Sequence, residues 1–338
     1  MGERIAAAEH VEHLTDAVVR IQLPLPMDDL RVVNAYAVLG GDGIVLIDPG
    51  WADEPSEAVL LAALAELGFR PADVSRILST HSHWDHYSRA VDWRERYGIP
   101  IALGAEESHT VTSFGAAAGT FPAQAKMLSQ AGAHRLAREI EVVEHEPYAK
   151  GIVMAPPDAW LDGGDVIDCG ETTLTVTETP GHTRGHVVFE AAKDGLLSSG
   201  DHILPRITPS IGFERVPEAL PLRSYLGSLQ LYLDRPGLRM LPAHGQPDGD
   251  VTARARELLA HHESRLALVA SFVAQGSTTG YEVAQRMSWT RHDRTVDELG
   301  LFHGMAAVLE VVAHLELLAH QGELAASDLD GTRHYAPA

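Results

Sequence analysis

Thr80-His81-Ser82-His83-Trp84-Asp85-His86 places four potential metal-binding side chains within six residues. It directly follows Ser75–Thr80 (SRILST), a run that reads as a β-strand. In an extended segment His81 and His83 project to the same side and can grip one ion. Asp85 and His86 follow as the chain turns and can reach a second ion beside the first. A polar loop that happens to hold histidines would explain any one of these residues, but not four at this spacing.

Upstream, Arg31–Asp48 reads RVVNAYAVLGGDGIVLID, two β-rich runs joined by a Gly-Gly-Asp-Gly turn. EAVLLAALAELGF then has the apolar spacing of a helix stopped by Gly68. Downstream, strands are expected at DVIDCG, ETTLTVTETP and GLLSSGD, which gives a layered α/β core. A catalytic metal needs three ligands and an open position, and a second ion needs its own set. His182 in TPGHTRGH, Asp201 in SSGDH and His244 in LPAHGQ supply candidates, each beside a glycine that lets the backbone turn sharply.

The chain's 338 residues exceed one average domain of about 100–200 residues. The expected division is a catalytic domain over 15–250 and a small one over 254–338. Within the first, residues 106–156 read as a helical insert, with QAKMLSQAGAHRLAREIEVVEH as helix, that caps the metals. After His244 come three helical stretches and a hairpin around Asp330-Gly331, the outline of a winged-helix-like module. Its third helix, GMAAVLEVVAHLELLAHQG, contains two glutamates and no lysine or arginine, so it lacks the charge that phosphate contact needs. A net charge of −21, from 47 acidic and 26 basic side chains, also argues against nucleic acid as a partner. The single cysteine, Cys169, excludes an intrachain disulfide and any multi-cysteine metal site. Charges interrupt every apolar run of the first 22 residues, so a cytoplasmic protein with no membrane role is expected. The apolar tail helices are compatible with a homodimer.

The ordered segments ending in Asp48, His81-x-His83-x-Asp85-His86, His182, Asp201 and His244 resemble the motifs of the metallo-β-lactamase superfamily, over Ile21 to Gln246. The resemblance implies an αββα sandwich with the site along one edge. It also implies that His81, His83 and His182 hold one metal, that Asp85, His86 and His244 hold the other, and that Asp201 bridges them. Asp48 is then a supporting acid, not a ligand. All-nitrogen and oxygen ligation suits two Zn²⁺ and tolerates Fe or Mn. Two such ions share a water that becomes hydroxide near neutral pH, and Asp85 is placed to orient it and pass on a proton.

TPGHTRGH is similar to the corresponding segment of glyoxalase-II-like hydrolases, which implies a buried, hydrogen-bonded His186 rather than a ligand; the role of His202 stays open. Those hydrolases commonly carry glycines after HxHxDH, whereas Tyr87-Ser88-Arg89 stands here and is expected to narrow the approach to the metals. The expected activity is hydrolysis of a small acyl substrate, a thioester, ester or lactone. The alternatives are a ribonuclease of the same fold and an iron-binding redox or non-hydrolytic protein.

Overall fold

Alternate residues of two neighbouring strands, β3 (Val32–Gly40) and β4 (Gly43–Ile47), sort into different cores. Val33, Ala35, Ala37, Ile44 and Leu46 pack with helices α1 (Glu54–Glu66) and α2 (Trp84–Tyr97). Tyr36, Val38, Val45 and Ile47 face the other way, into a second apolar layer. Burial on both faces is the physical reason these runs are almost continuously apolar. The computed structural model describes residues 10–27, 30–40, 43–114, 121–143, 154–289 and 293–338.

The first sheet runs β1 (Val11–His13), β2 (Val18–Pro24), β3, β4, β5 (Val74–Ser79), β6 (Ile101–Gly104) and β7 (Ala159–Leu161). The second has the order β12 (Arg239–Pro242), β11 (Leu196–Gly200), β10 (Val187–Ala191), β9 (Thr173–Glu178) and β8 (Val166–Asp168). Leu174, Val176, Val187, Phe189 and Leu196 meet the inner face of the first sheet. Val188 and Leu197 point outward to α6 (Pro221–Gln230) and α7 (Val251–Ala274). The layers are therefore helix, sheet, sheet, helix, as expected for the αββα sandwich.

Local chemistry explains the element ends. Asp53 caps α1 by accepting the Ser56 N–H at 2.9 Å, with a proline in the first turn, and Gly68 (φ +83°) carries the chain out. Segment 106–156 is less regular than its text suggests. Its described part forms α3 (Ser108–Ser113), α4 (Pro122–Gln130) and α5 (His134–Glu141), and the expected single helical run breaks at Gly132 (φ +83°). Residues 115–120 and 144–153, where the rest of the expected cap falls, lie outside the described residues.

Phe121, Leu128, Leu136 and Ile140 share one apolar cluster with Val283 of α8 (Gly280–Arg286) and with Met305, Val308 and Leu315 of α9 (Leu301–His320). Insert and tail thus bury a common face. The boundary expected at 250–254 falls at the start of α7, whose Val251, Ala255 and Leu258 pack on the second sheet. The chain ends in the hairpin β13 (Leu324–Leu329) and β14 (Thr332–Pro337), turned by Asp330 and Gly331, both at positive φ. Helix α9 is long and apolar enough to cross a membrane by length and composition, but 61% of its apolar window is buried here, which is how a core helix behaves.

Between α7 and α9 lies a buried pair, His262 and His314, with Nδ1 and Nε2 3.2 Å apart and rings stacked. His314 donates its Nδ1–H to the Glu310 carbonyl at 2.7 Å. Burial pushes His262 down to about 3 and His314 down to about 4. In the unfolded chain both titrate near 6.5, so below that pH the unfolded state takes up protons that the folded state refuses. Stability is full above 6.5 and falls with decreasing pH, by about 1.4 kcal/mol per pH unit for each group. Thermal melts at constant metal load are expected to fall more steeply between about pH 7 and pH 5 for the wild type than for a His262→Leu/His314→Leu double variant. Parallel slopes would assign the acid sensitivity elsewhere.

Candidate metal centre

Five strand ends converge on one edge of the sandwich. β4 runs into Asp48, β5 into Thr80 and His81, β9 leads to His182, β11 ends beside Asp201, and β12 runs into His244. The turns are forced by close packing. Gly200 (φ +51°) leaves no room for a Cβ, which would lie 2.6 Å from His186 Nε2 and 2.7 Å from Thr80 Oγ1. His81 and His83 turn their ring nitrogens to one point, as the extended spacing predicts; His83, itself extended at φ −63° and ψ 152°, is the residue before the first turn of α2, and Asp85 and His86 lie within that turn. A helix start turns consecutive side chains through about 100°, which spreads the donors around a centre instead of along a line. It also places the Asp85 carboxylate where the helix dipole favours negative charge.

The donor atoms form two adjoining groups, His81, His83, His182 and Asp201, and Asp85, His86 and His244. His81 Nε2 and His182 Nε2 lie 2.8 Å and 3.1 Å from His83 Nδ1. His244 Nε2 is 3.3 Å from Asp85 Oδ2, and His86 Nε2 is 3.6 Å from the same oxygen. Asp201 faces both groups, with Oδ2 3.5 Å from His182 Nε2 and Oδ1 3.5 Å from His244 Nε2.

The far side of each ring is tied down. His86 donates Nδ1–H to Asp48 Oδ2 at 3.0 Å, His182 to the Ser210 carbonyl at 2.8 Å, and His244 to the Val32 carbonyl at 2.9 Å. His81 Nδ1 meets Thr80 Oγ1 at 3.0 Å, and that hydroxyl donates to Asp48 Oδ2 at 2.9 Å. These bonds leave the Nε2 lone pairs of His81, His86, His182 and His244 pointing inward, the tautomer a metal takes. His86 Nε2, His244 Nε2 and Asp201 Oδ1 are buried with no hydrogen-bond partner. Orphaned donors that face one another in a closed space fit a cation and little else.

Electrostatics agree. Burial holds His83 near 3 and His182 near 4, and His81 well below its ordinary value, which keeps all three rings neutral at pH 7, the form a ligand needs. His86 is pushed up to about 10: burial opposes this, but Asp85, Asp48 and Asp201 surround it with negative charge. A field that retains a proton so strongly also attracts a metal ion.

Of the residues outside the donor groups, Asp48 accepts from Thr80 N–H at 2.8 Å as well as from Thr80 Oγ1 and His86, and does so at φ +51°. Such a backbone costs a non-glycine residue of order 1 kcal/mol, a strain that persists where surrounding bonds dictate it. His186 is fully buried, bonded through Nδ1 to Thr179 Oγ1 at 2.8 Å and through Nε2 to the Asp201 N–H at 3.2 Å. His202 packs against Tyr225 and Tyr232, outside both donor groups. Tyr87, Ser88 and Arg89 do not narrow the approach: all are buried, Tyr87 bonding the Ala155 carbonyl and Arg89 the Trp51 carbonyl, because this face of α2 packs inward.

Sequence reading passed over the support beneath His244. Asn34 Nδ2 donates to the carbonyls of Pro242 and Gly245, both at 2.8 Å, and Tyr36 Oη donates to Pro242 at 2.7 Å. The signal was present, since Asn34 and Tyr36 interrupt an apolar strand two residues apart. Replacing Asp48 by Asn keeps the shape but forfeits the charge and one acceptor. A titration with Co²⁺ against a chelator is expected to show affinity reduced by about 10–100-fold, the usual cost of losing an outer partner of a ligand. Unchanged affinity would reduce Asp48 to a packing residue.

A family model described as the metallo-beta-lactamase superfamily matches residues 28–244. The chain is 31% identical over 169 residues to a hydroxyacylglutathione hydrolase of Cereibacter sphaeroides, covering 50% of this chain and 46% of that protein. The chain thus spans about half the length of the first such relatives it matches. It is 24% identical over 311 residues to the probable metallo-hydrolase YqjP of Bacillus subtilis, covering 90% and 92% of the two chains. Among solved structures it resembles a beta-lactamase domain protein from Burkholderia ambifaria, with a TM-score of 0.79, 28% identity and coverage of 100% and 95%. A metallo-beta-lactamase family protein from Thermus thermophilus has a TM-score of 0.75, 27% identity and coverage of 96% and 100%. The converging strand ends, the inward-facing His/Asp cluster and the extent of these matches together place the chain in the metallo-beta-lactamase superfamily.

Proposed function

We propose that the protein is a binuclear metal-dependent hydrolase of acyl thioesters, esters or lactones. The observation that carries this reading is the pair of adjoining donor groups sharing Asp201, with orphaned nitrogens turned toward a common centre. His81, His83 and His182 would hold one ion, Asp85, His86 and His244 the second, with Asp201 between; zinc suits this donor set best, with iron or manganese as alternatives. Bound there, the ions supply Lewis-acid polarisation of a carbonyl and acidify water toward neutral pH.

The chain's own groups do the rest. The neighbouring histidines, His86 first, hold Asp85 ionised below the usual carboxylate range despite its burial. Its Oδ2 is therefore available to orient water and to carry a proton toward the leaving atom. Asp48, Ser210 and Val32 fix the rings that face the substrate. Relatives named hydroxyacylglutathione hydrolase support an acyl–sulfur substrate. The buried face of α9 supports a packing role for the tail over nucleic-acid binding, and the charge of −21 points the same way.

Purified protein is expected to carry about two transition-metal ions per chain by elemental analysis. His182→Ala and Asp201→Ala should each remove at least one ion and lower turnover by more than about 100-fold, with the melting transition of the metal-free protein retained. A panel of acyl-thioesters, esters, lactones, a cephalosporin and single-stranded RNA, run with a His81→Ala control, tests the substrate class. Metal-dependent RNA cleavage without acyl hydrolysis would replace this reading.

A further inference from the structure

Glu107 is a fully buried carboxylate at the start of segment 106–156, outside both donor groups. One of its oxygens, Oε2, accepts the Ser82 N–H at 3.2 Å and the Ser82 hydroxyl. The other, Oε1, accepts the Thr183 hydroxyl. Ser82 stands between His81 and His83, and Thr183 follows His182. A single side chain therefore bonds, from behind, both loops that carry the three histidines of one donor group.

The contact is enforced by packing. A Cβ on Gly185 would lie 2.0 Å from the Glu107 nitrogen, so Gly185 lets the His182 loop reach the carboxylate at all. A second buried acid, Glu214, bonds the same loop one residue further on: its Oε2 accepts the Arg184 N–H at 3.0 Å and its Oε1 the Thr110 hydroxyl at 3.2 Å. The Ser82 and Thr183 groups that bond Glu107 are neutral donors, a costly arrangement for a buried carboxylate unless a positive charge lies nearby. Ions in the donor group would provide that charge one residue away.

We propose that Glu107 is a positioning residue that sets the spacing of His81 and His83 against His182, and so the affinity of the ion those histidines hold. This rests on the metal reading above. The three imidazoles present lone pairs to one another at 2.8–3.1 Å, an arrangement that opens unless the loops are tied behind it. Glu107→Gln retains one carbonyl oxygen but replaces the other acceptor by an amide donor, so it can hold one loop and not both. Thr183→Val cuts only the His182 side, and Thr183→Ser restores the hydroxyl.

The test is Co²⁺ titration of the metal-free full-length chain, followed by the visible absorption of the bound ion and by competition with a chelator. Glu107→Gln and Thr183→Val are expected to weaken binding at one site by about 10–100-fold and to alter its spectrum, with Thr183→Ser close to wild type. Thr172→Val, which loses a hydroxyl bond to Asp194 remote from the donors, serves as the stability control and should bind as wild type does. If Glu107→Gln does not fold, the Thr183 pair decides. Wild-type uptake matched by both Glu107→Gln and Thr183→Val would overturn the role of Glu107 alone; a wild type that takes up no cobalt would overturn the metal reading and this inference with it.

Discussion

Lone pairs facing lone pairs inside a closed edge of the sandwich are the constraint on which the rest of this structure depends. Bringing His86, His244 and Asp201 together leaves buried polar atoms without partners, and each such atom costs about 1–3 kcal/mol until something positive satisfies it. No arrangement of side chains alone would choose this. It persists because the backbone behind the donors is bound at many points: Asp48 to Thr80 and His86, Asn34 and Tyr36 to the His244 loop, His186 to the Asp201 N–H. The sandwich acts as a frame that holds repelling groups in reach of a cation.

That frame extends into the tail. The Ser210 carbonyl that orients His182 belongs to a loop pinned by both added elements. Gln124 of α4 bonds the carbonyls of Gly212 and Glu214, and Gly212 sits so close to Leu309 of α9 that a Cβ would lie 3.0 Å from its side chain. Phe213 meets Phe121 edge-on in the same region. The cluster shared by insert and tail thus buttresses one histidine of the donor groups, His182, through a single loop, a physical reason for the tail to stay docked on the sandwich.

How much of this was legible before the structure depends on the type of signal. Closely spaced candidate ligands, such as His81, His83, Asp85 and His86, announce themselves because metal chemistry needs several donors and few other demands cluster histidines so tightly. The β-rich runs of β3 and β4 and the Asp330-Gly331 turn are local, and local patterns survive in the sequence. The break at Gly132, inside a run that reads as one helix, was misread because a lone glycine is also tolerated within helices. Tyr87-Ser88-Arg89 was misread for a different reason: nearness in sequence to the ligands says nothing about which face of α2 turns inward.

Residue type and short-range period thus mark the His81–His86 cluster, the glycine-flanked candidates at strand ends and the layered class of fold, whereas the division of those residues into two ligand sets came with the family resemblance. The tertiary structure decided which nitrogen of each histidine points inward, that Asp201 faces both groups, and that Glu107, Asn34 and Tyr36 hold the loops from behind. Those contacts join residues separated by 25 positions for Ser82 and Glu107 and by 208 for Asn34 and Pro242. Their geometry arises only when two sheets and their loops pack together, and no spacing rule along the chain encodes it.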